Sequence, residues 1–588
     1  MKISSIIISN WRSIKCVEIK AQDLMIFIGQ NNHGKSNILS AILFFFGEIK
    51  AQELDFNNDS KELFVEVVFT DLDDYDKSTF KKYVTSNTDI KVRKTAFSNG
   101  NFEYRGYIQN PNDESLQESN ASNYTIRAIA AEQIFCDLLP ETGKLTKNII
   151  IDAQKQYVEK NKDEIEFQYQ LDESNFLGLK TVAKGIFGDV YFIPAIKDSS
   201  EDFAPKDTSA FGKMYSKIIQ KISDSDNDWI ETKKSLSKLF GALNKNNNEG
   251  DLNNNRPQEL TELETKLSKY LKNWGAEINI EVLAPNIDDI FRANTQIWID
   301  DGVKTDIRRK GNGLQRALTF ALINVISNHQ KENQIDAEET KTSSRTRSNS
   351  SFFILEEPEL YLHPQAQRAI FQSLVSLSES KNQVMLCTHA STLIDIDKYK
   401  SIFIVKRDNE SIGTTINQCL DELFTDDAKK NFNLNYWINP DRSELFFAKK
   451  VILVEGATDK TIIPLLADKL GVFRHDYTVI DCGSKDSIPQ YIKLLNSFSI
   501  PYIAVYDKDH QIKKQQPAIN SADISTTNIT KIIDSKLGQI ICFNNDIEEE
   551  LGMTAGNNSK PYVALQYVEA DGFKINEKFA EKIRTIYE

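Results

Sequence analysis

The octapeptide Gly29-Gln-Asn-Asn32-His-Gly34-Lys35-Ser36 constrains this chain more than any other stretch. The apolar run Leu24 to Ile28 precedes it and the helix-like Asn37 to Phe46 follows, so the loop joins a buried strand to a helix N-terminus. That is the setting a phosphate-binding loop requires. Gly29 and Gly34 let the backbone turn its N–H groups toward a polyphosphate, and the helix N-terminus adds partial positive charge. In such loops the lysine reaches the β and γ phosphates and the hydroxyl ligates Mg²⁺, roles that fall to Lys35 and Ser36. Gly29, Asn32, Gly34, Lys35 and Ser36 are therefore the expected ATP-binding residues, with Ser36 also a metal ligand. A loop of this kind hydrolyses nothing alone; distant segments must supply the rest.

Composition frames the search. A chain of 588 residues, 40 % of them hydrophobic, exceeds one ordinary core and predicts about two to four units. Its most apolar window, Ile38 to Phe46, is far short of a membrane span, so a cytoplasmic protein without membrane contact is expected. Six cysteines (Cys16, Cys136, Cys387, Cys419, Cys482, Cys542) lack CxxC spacing, which fits reduced thiols and no zinc cluster. A net charge of −14 argues against a general basic coat for nucleic acid, while local patches stay open.

In chain order, Lys2 to Ile14 reads as a strand ending in a polar turn, Val17 to Ile19 as a second strand, and Leu63 to Phe69 as a third. Arg12 is either an approach to the nucleotide or an exposed turn arginine. From Asn87 to Gly185 short aromatic strands are followed by the charged segment Gln154 to Glu166, which reads as an exposed helix. The strand Val190 to Pro194 resumes the pattern. Helical segments follow, with Met214, Ile218 and Ile222 on one face and Leu236, Leu239 and Leu243 on another. After the Asn-rich loop 244–255, Leu260, Leu263, Leu267, Tyr270 and Trp274 recur at heptad-like intervals and imply an interhelical seam. That seam is either a dimerisation element or packing within its own domain.

Strands at Ile278 to Leu283 and Gln296 to Asp300 lead into Arg308-Arg-Lys-Gly311-Asn-Gly313-Leu-Gln315. The glycines open a helix with Leu314, Leu318, Leu322 and Val325 expected inward, a second phosphate-binding helix N-terminus with Gly313 the binding residue. Lys331 to Ser350 reads as a solvated loop. Phe352-Phe-Ile-Leu-Glu356-Glu357-Pro-Glu is an apolar strand ending in carboxylates. Beside a P-loop, Glu356 is expected on Mg²⁺ and Glu357 as the general base that polarises water. The strand Val384 to Thr388 ends at His389, placed to sense the γ-phosphate.

A second unit begins near Glu444. Lys450 to Val454 is a strand followed by Glu455, a glycine turn and Asp459 on the next helix. Pro501 to Tyr506 ends in Asp507-Lys-Asp509, and Ile540 to Phe543 leads to Asp546-Ile-Glu548. Parallel strands would gather these acids at one rim, where their repulsion calls for cations. Two Mg²⁺ or Mn²⁺ ions there, beside the one with ATP, would activate water and stabilise a leaving oxygen in phosphodiester cleavage.

These segments resemble a Toprim domain, and their full order resembles the OLD (overcoming lysogenisation defect) ATPase-nucleases. Glu356-Glu357-Pro-Glu with Leu-His363-Pro364, then Val-Glu455-Gly456, carry the likeness over nearly the whole chain. The resemblance implies an α/β fold: a split ABC/SMC-type ATPase head with a helical insertion, plus a Toprim domain. Its expected bounds are 1–195 and 277–440 for the head, 196–276 for the insertion and 441–588 for Toprim. It implies that Glu455, Asp507 and Asp509 hold one metal, that Asp459, Asp546 and Glu548 help hold the other, and that Lys560 stabilises the pentacovalent phosphate. It further implies a DNA substrate, a homodimer or higher oligomer, and antiphage defence beside a helicase or a reverse transcriptase with its DNA–RNA product (msDNA). Two departures stand out. Asp459 replaces the glutamate of many relatives, and Gly311-Asn-Gly313-Leu-Gln315 lacks the serine of the ABC signature, so ATP is expected to act as a slow switch. The alternative is a RecF/SMC-like repair or scaffolding ATPase without nuclease activity, which needs no second acid cluster; Toprim activity of the topoisomerase or primase kind lacks its accessory domains.

Overall fold

The structure, a computed structural model, describes all residues except 59, 86, 162–163, 180–181, 183–184, 196–208, 246–252, 254–255, 272–277, 282–294, 323–324, 326–347, 380–381, 408–411, 425–439, 511–514 and 554–559. Residues 331–347 of the solvated loop expected over Lys331 to Ser350, and Trp274 of the seam, lie outside the described residues, as does the side chain of Met214; Ser348 and Ser350 at the end of that loop are buried rather than solvated. The chain divides into two units, one of Met1–Val190, Ser343–Glu359 and Leu374–Glu588, the other of Tyr191–Thr342 and Leu360–Ser373.

In the first unit, β1 (Lys2–Trp11) and β2 (Ile14–Lys20) pair antiparallel around the tight turn at Arg12, whose φ of 48° is left-handed. The next strand, β3 (Leu24–Ile28), leaves that sheet and is buried throughout. With β4 (Glu62–Thr70), β5 (Ile90–Phe97), β6 (Phe102–Pro111) and β7 (Phe167–Leu171), the first two strands make an antiparallel sheet in the order β2-β1-β4-β5-β6-β7. Alternation carries this sheet: Ile3, Ile6 and Ile8 of β1 are buried while their neighbours are half-exposed. The exposed helix expected over Gln154 to Glu166 is instead Lys147–Lys160, which buries Ile150, Ala153 and Gln154 and leaves Lys155 to Lys160 half-buried or exposed. Gln154 tolerates this because its Nε2 donates to the carbonyls of Ser115 and Gln117 at 2.7 and 3.2 Å.

The second sheet reassembles segments far apart in the chain. β8 (Asp189–Ile193) is followed, after the short hairpin β9 (Trp298–Asp300) and β10 (Lys304–Asp306), by β11 (Ser351–Glu356), β12 (Gln383–Cys387), β13 (Ile402–Lys406) and β14 (Thr415–Gln418). Its order is β14-β13-β3-β12-β11-β8. β11, β12, β3 and β13 run parallel, with Leu24 opposite Val384 and Ile26 opposite both Leu386 and Ile402. Strands buried on both faces read as continuous apolar runs, and these do.

A third sheet of four parallel strands completes this unit: β15 (Lys450–Val454), β16 (Tyr477–Asp481), β17 (Tyr502–Asp507) and β18 (Gly538–Phe543), in the order β16-β15-β17-β18. Helices Ala457–Lys469, Lys560–Glu569 and Glu577–Tyr587 bury Ile462, Leu466, Ala564, Val568, Ile583 and Ile586 against it.

The second unit holds helices Ala210–Ser225, Asn227–Leu243 and Gln258–Leu271. On the last, the seam residues Leu263 and Leu267 are 45 % and 37 % exposed, and Tyr270 is 78 % exposed. Of the strand expected over Ile278 to Leu283, residues 278–281 carry none and 282–283 lie outside the described residues, and the strand expected over Gln296 to Asp300 is only Trp298–Asp300. A further correction concerns the helix beginning at residue 312. Of the four leucine and valine side chains expected inward, Leu322 is buried and Leu318 half-buried while Leu314 and Val325 are exposed, and the rest of the buried face is Gln315, Arg316, Thr319 and Phe320. Polar atoms turned it: Gln315 Nε2 donates to the carbonyls of Ile307 and Lys310 at 2.9 Å each, and Arg316 Nη1 to Pro194 O at 3.2 Å.

Arg256 and Glu264 form a bidentate ion pair at 2.7 and 2.6 Å, with side chains 5 % and 7 % exposed, and Glu264 Oε1 also accepts from Ile280 N at 2.7 Å. Removing one partner leaves a buried charge uncompensated. Arg256→Met is expected to destabilise the protein by roughly 3–5 kcal/mol in urea unfolding; a change below about 1 kcal/mol would show that the pair is solvated.

Candidate functional site

The P-loop follows directly from the burial of β3. The strand delivers Gly29 with φ +147° against β13, where a Cβ would stand 2.2 Å from Val405 O, so a side chain is excluded. Asn32 and Gly34 take left-handed conformations, with φ of 64° and 103°, and Gly34 caps the helix Lys35–Phe45. Asn32 and Ser36 are exposed at that N-terminus. Lys35 is buried, and its Nζ donates to the carbonyls of Gly29 and Gln30 at 2.9 Å each, folding the side chain over the loop it would serve. Burial lowers its pKa while Glu357 and Glu359 raise it.

Glu356 ends β11 and pairs in register with Cys387 of β12, the strand beside β3. Glu357 follows with a left-handed φ of 43°, its N–H donating to Cys387 O at 2.9 Å. His389 Nε2 lies 3.9 Å from Glu357 Oε1, and desolvation lowers the imidazole pKa. Parallel strands therefore bring Lys35, Glu356, Glu357 and His389 to one carboxyl edge. Glu359 is a residue the sequence reading passed over. Its Oε1 accepts from Thr388 Oγ1 and His389 N at 2.8 Å each, pinning the histidine's backbone, and burial raises its pKa. The signal was the third acid of Glu356-Glu-Pro-Glu359. Arg12 is held by Asp55 Oδ1 at 2.7 Å and reaches Asn37 Oδ1 of the P-loop helix at 3.3 Å. Gly313 lies in the second unit, in the first turn of its helix, 3.1 Å from Tyr361 O at the Cβ position.

The third sheet gathers the other acids. Glu455 follows β15, Asp507 ends β17, Asp509 lies two residues on with a left-handed φ of 63°, and Asp546 follows β18. Asp459 sits buried in the first turn of Ala457–Lys469, and Asp546 caps the short helix carrying the buried Glu548 by accepting from Glu549 N at 2.8 Å. Asp507 N donates to Glu455 Oε1 at 2.7 Å, which ties two strand ends together. Lys560 Nζ lies 3.4 Å from Glu548 Oε1. A lysine not singled out from the sequence, Lys485, is buried on the turn after β16 and donates to Asp507 O.

Burial raises the Asp507 carboxyl to about 9, helped by Asp459, Glu455, Asp509 and Asp546, and raises Asp459 to about 7, helped by Glu455 and Glu548. Asp459 Oδ1 and Asp507 Oδ1 are buried without a hydrogen-bond partner. Among the described residues no three His, Cys, Asp or Glu side chains close on one metal position. The donor set nonetheless fits divalent cations: hard carboxylate oxygens, two of them orphaned in low dielectric, with charge that only a cation or protons neutralise.

Comparison with known proteins bears on this geometry. The family described as AAA ATPase domain matches residues 1–394, which include the P-loop, the β11 acids and His389. The chain belongs to that family. Its C-terminal part matches the family described as Overcoming lysogenization defect protein-like, TOPRIM domain, over residues 446–509, which include Glu455, Asp459, Asp507 and Asp509. The chain is 25 % identical to the Old nuclease of Escherichia phage P2 over 87 % of its own length and 77 % of that protein's. It is 22 % identical to Endonuclease GajA of Bacillus cereus strain VD045 over 88 % and 77 %. The OLD nuclease of Thermus scotoductus matches at 26 % over 36 % of this chain and 42 % of that protein. The ATPase domain thus holds the first acid edge and the TOPRIM domain the second, and the head is split by an insertion.

The raised carboxyls make a signed prediction. Their folded pKa values exceed the ordinary 3.8, so the folded state holds more protons than the unfolded one from about pH 4 up to about 7 for Asp459 and about 9 for Asp507. Stability therefore falls as pH rises through that window. In EDTA, calorimetry should show Tm falling from about pH 5 to about pH 8. Asp507→Asn should flatten that slope and raise Tm at about pH 8, by roughly 2–4 °C for each kcal/mol of repulsion relieved. An unaltered slope would mean that Asp507 does not share charge with its neighbours.

Proposed function

We propose that this chain is an ATP-regulated, divalent-metal-dependent DNA endonuclease or nickase whose TOPRIM domain hydrolyses phosphodiesters. The observation that carries the reading is the meeting of Glu455, Asp459, Asp507, Asp509, Asp546 and Glu548 at one rim of a parallel sheet, with two buried carboxylate oxygens lacking partners. Three relatives carry the names nuclease or endonuclease, in keeping with it. A non-nuclease RecF- or SMC-like ATPase would share the first acid edge and would have no use for the second.

In this reading Glu455, Asp507 and Asp509 hold one Mg²⁺ or Mn²⁺, and Asp459, Asp546 and Glu548 help hold the other. Such ions supply an activated water and charge neutralisation at the leaving oxygen. Asp507 N–H, donating to Glu455 Oε1, holds that carboxylate toward the rim. Lys560, on the flank and paired with Glu548, offers its ammonium to the developing negative charge of the phosphate. In the ATPase domain Lys35 exchanges its two carbonyl partners for phosphate oxygens, Ser36 and Glu356 hold the accompanying Mg²⁺, Glu357 orients water, and His389 reads the γ-phosphate. Gly313 contributes to nucleotide binding from the signature segment. The proposed domains are 1–195 with 277–440, 196–276 and 441–588. The chain acts on DNA as a homodimer or higher oligomer through the insertion, in antiphage defence beside a helicase or a reverse transcriptase with its DNA–RNA product.

The test is cleavage of supercoiled plasmid with Mg²⁺ or Mn²⁺. Wild type should nick; Glu455→Ala should lose the activity by at least about 100-fold, and Lys560→Ala by about 10²–10³-fold. ATP should alter the rate in wild type and leave Lys35→Ala unchanged. Equal inactivity of wild type and Glu455→Ala, in buffer and in phage-infected extract alike, would favour the scaffold reading. For the insertion, Leu263→Glu with Leu267→Glu should lower the mass seen by light scattering to that of a monomer; a retained dimer would remove its assembly role.

A further inference from the structure

We propose that Lys406 and Asn417, on the strand pair β13–β14, link the P-loop to the TOPRIM acid site and carry the state of the one to the other. The inference deepens the function proposed above and rests on it. Toward the nucleotide side, the pair is in hard contact with the loop. Val405 O occupies the place where a Cβ of Gly29 would stand, and Thr414 Oγ1 donates to His33 O at 3.0 Å and bonds Ser13 Oγ at 2.8 Å. Ser13 Oγ in turn accepts from Asn37 Nδ2 of the P-loop helix at 2.8 Å. Thr414 Oγ1 also lies 2.5 Å from the Cβ position of Gly34. A loop that rearranges around phosphates therefore acts on β13 through Val405 and on Thr414, the residue that leads into β14.

Toward the TOPRIM side, the same two strands hold one turn. Lys406 Nζ donates to Ser499 O at 2.9 Å, and Asn417 Nδ2 donates to Phe498 O at 3.1 Å. These carbonyls lie just past the end of the helix Ile488–Ser497, and Ser499 takes a left-handed φ of 52°. The turn has little freedom of its own, because Ile500 N donates to Leu495 O and Val451 N to Pro501 O, both at 2.9 Å. Immediately beyond it begins β17, which ends at Asp507, and through Pro501 it is bonded to β15, which Glu455 follows. A strand of six residues paired on both sides is stiff along its length, so a shift at the turn is carried to Asp507 about 20 Å away. Two strand ends joined by the Asp507 N to Glu455 Oε1 bond then move relative to the other acids.

The test is hydrogen exchange by mass spectrometry on the full chain at constant Mg²⁺, with and without a non-hydrolysable ATP analogue. In wild type, nucleotide should slow exchange in the P-loop peptide and change it about fivefold or more in the peptide spanning 498–509. In Lys406→Ala with Asn417→Ala the P-loop effect should persist, the 498–509 effect should vanish, and plasmid nicking without ATP should equal wild type. The single variants Lys406→Met and Asn417→Ala replace the double one if it fails to fold. An undiminished 498–509 response in the variants overturns the proposal, as does a wild type in which the P-loop responds to nucleotide and 498–509 does not. A wild type that shows the coupling but never nicks leaves this linkage standing and removes the nuclease reading.

Discussion

The pairing of β3 with β12 and β13 is the contact on which the ATPase domain depends. Leu24 to Ile28 are wholly buried between strands that follow them by more than 350 positions in the chain. Each of these side chains contributes about 1.5–3 kcal/mol on burial, and the register they impose places Gly29 against Val405 and Cys387 beside Glu356. Without that register the phosphate-binding loop and its carboxylates belong to separate pieces of chain.

Parallel strands solve one problem and create another. They align carboxyl termini, so acids at strand ends share a rim, yet like charges brought together under burial repel. The two rims meet this differently. At the P-loop, Lys35 stands inside the site and Glu359 Oε1 accepts from Thr388 and His389. In the TOPRIM domain, Lys560 and Lys485 stand at the edges, and Asp459 and Asp507 retain buried oxygens without partners. Burial, with the neighbouring acids, pushes Asp507 to about 9, and that crowding is the physical argument for a site built around divalent ions.

Much of this was legible in the residues because the chemistry announces itself locally. An apolar run followed by Glu455-Gly456, or by Asp507-Lys-Asp509, is visible without neighbours, and so is a glycine-rich loop before a helix. What misled was periodicity on the helix beginning at 312. Leu314, Leu318, Leu322 and Val325 suggested an inward stripe, of which Leu322 is buried, whereas Gln315 and Arg316 are buried because backbone carbonyls bond them, a pairing no pattern of apolar residues reveals. Glu359 and Lys485 escaped notice for a related reason: each matters through a bond to a backbone atom supplied from elsewhere.

The sequence by itself determined the alphabet of the two sites: which carboxylates, which lysines, which glycines, and the strand or helix end bearing each. It did so because burial demands apolar runs and tight turns demand glycine, both local constraints. Tertiary structure alone decided which ends share a rim, which oxygens are left without partners, and that β13 and β14 touch both the P-loop and the turn before β17. Those facts depend on strand order and register, which are set by long-range packing and the satisfaction of buried polar atoms.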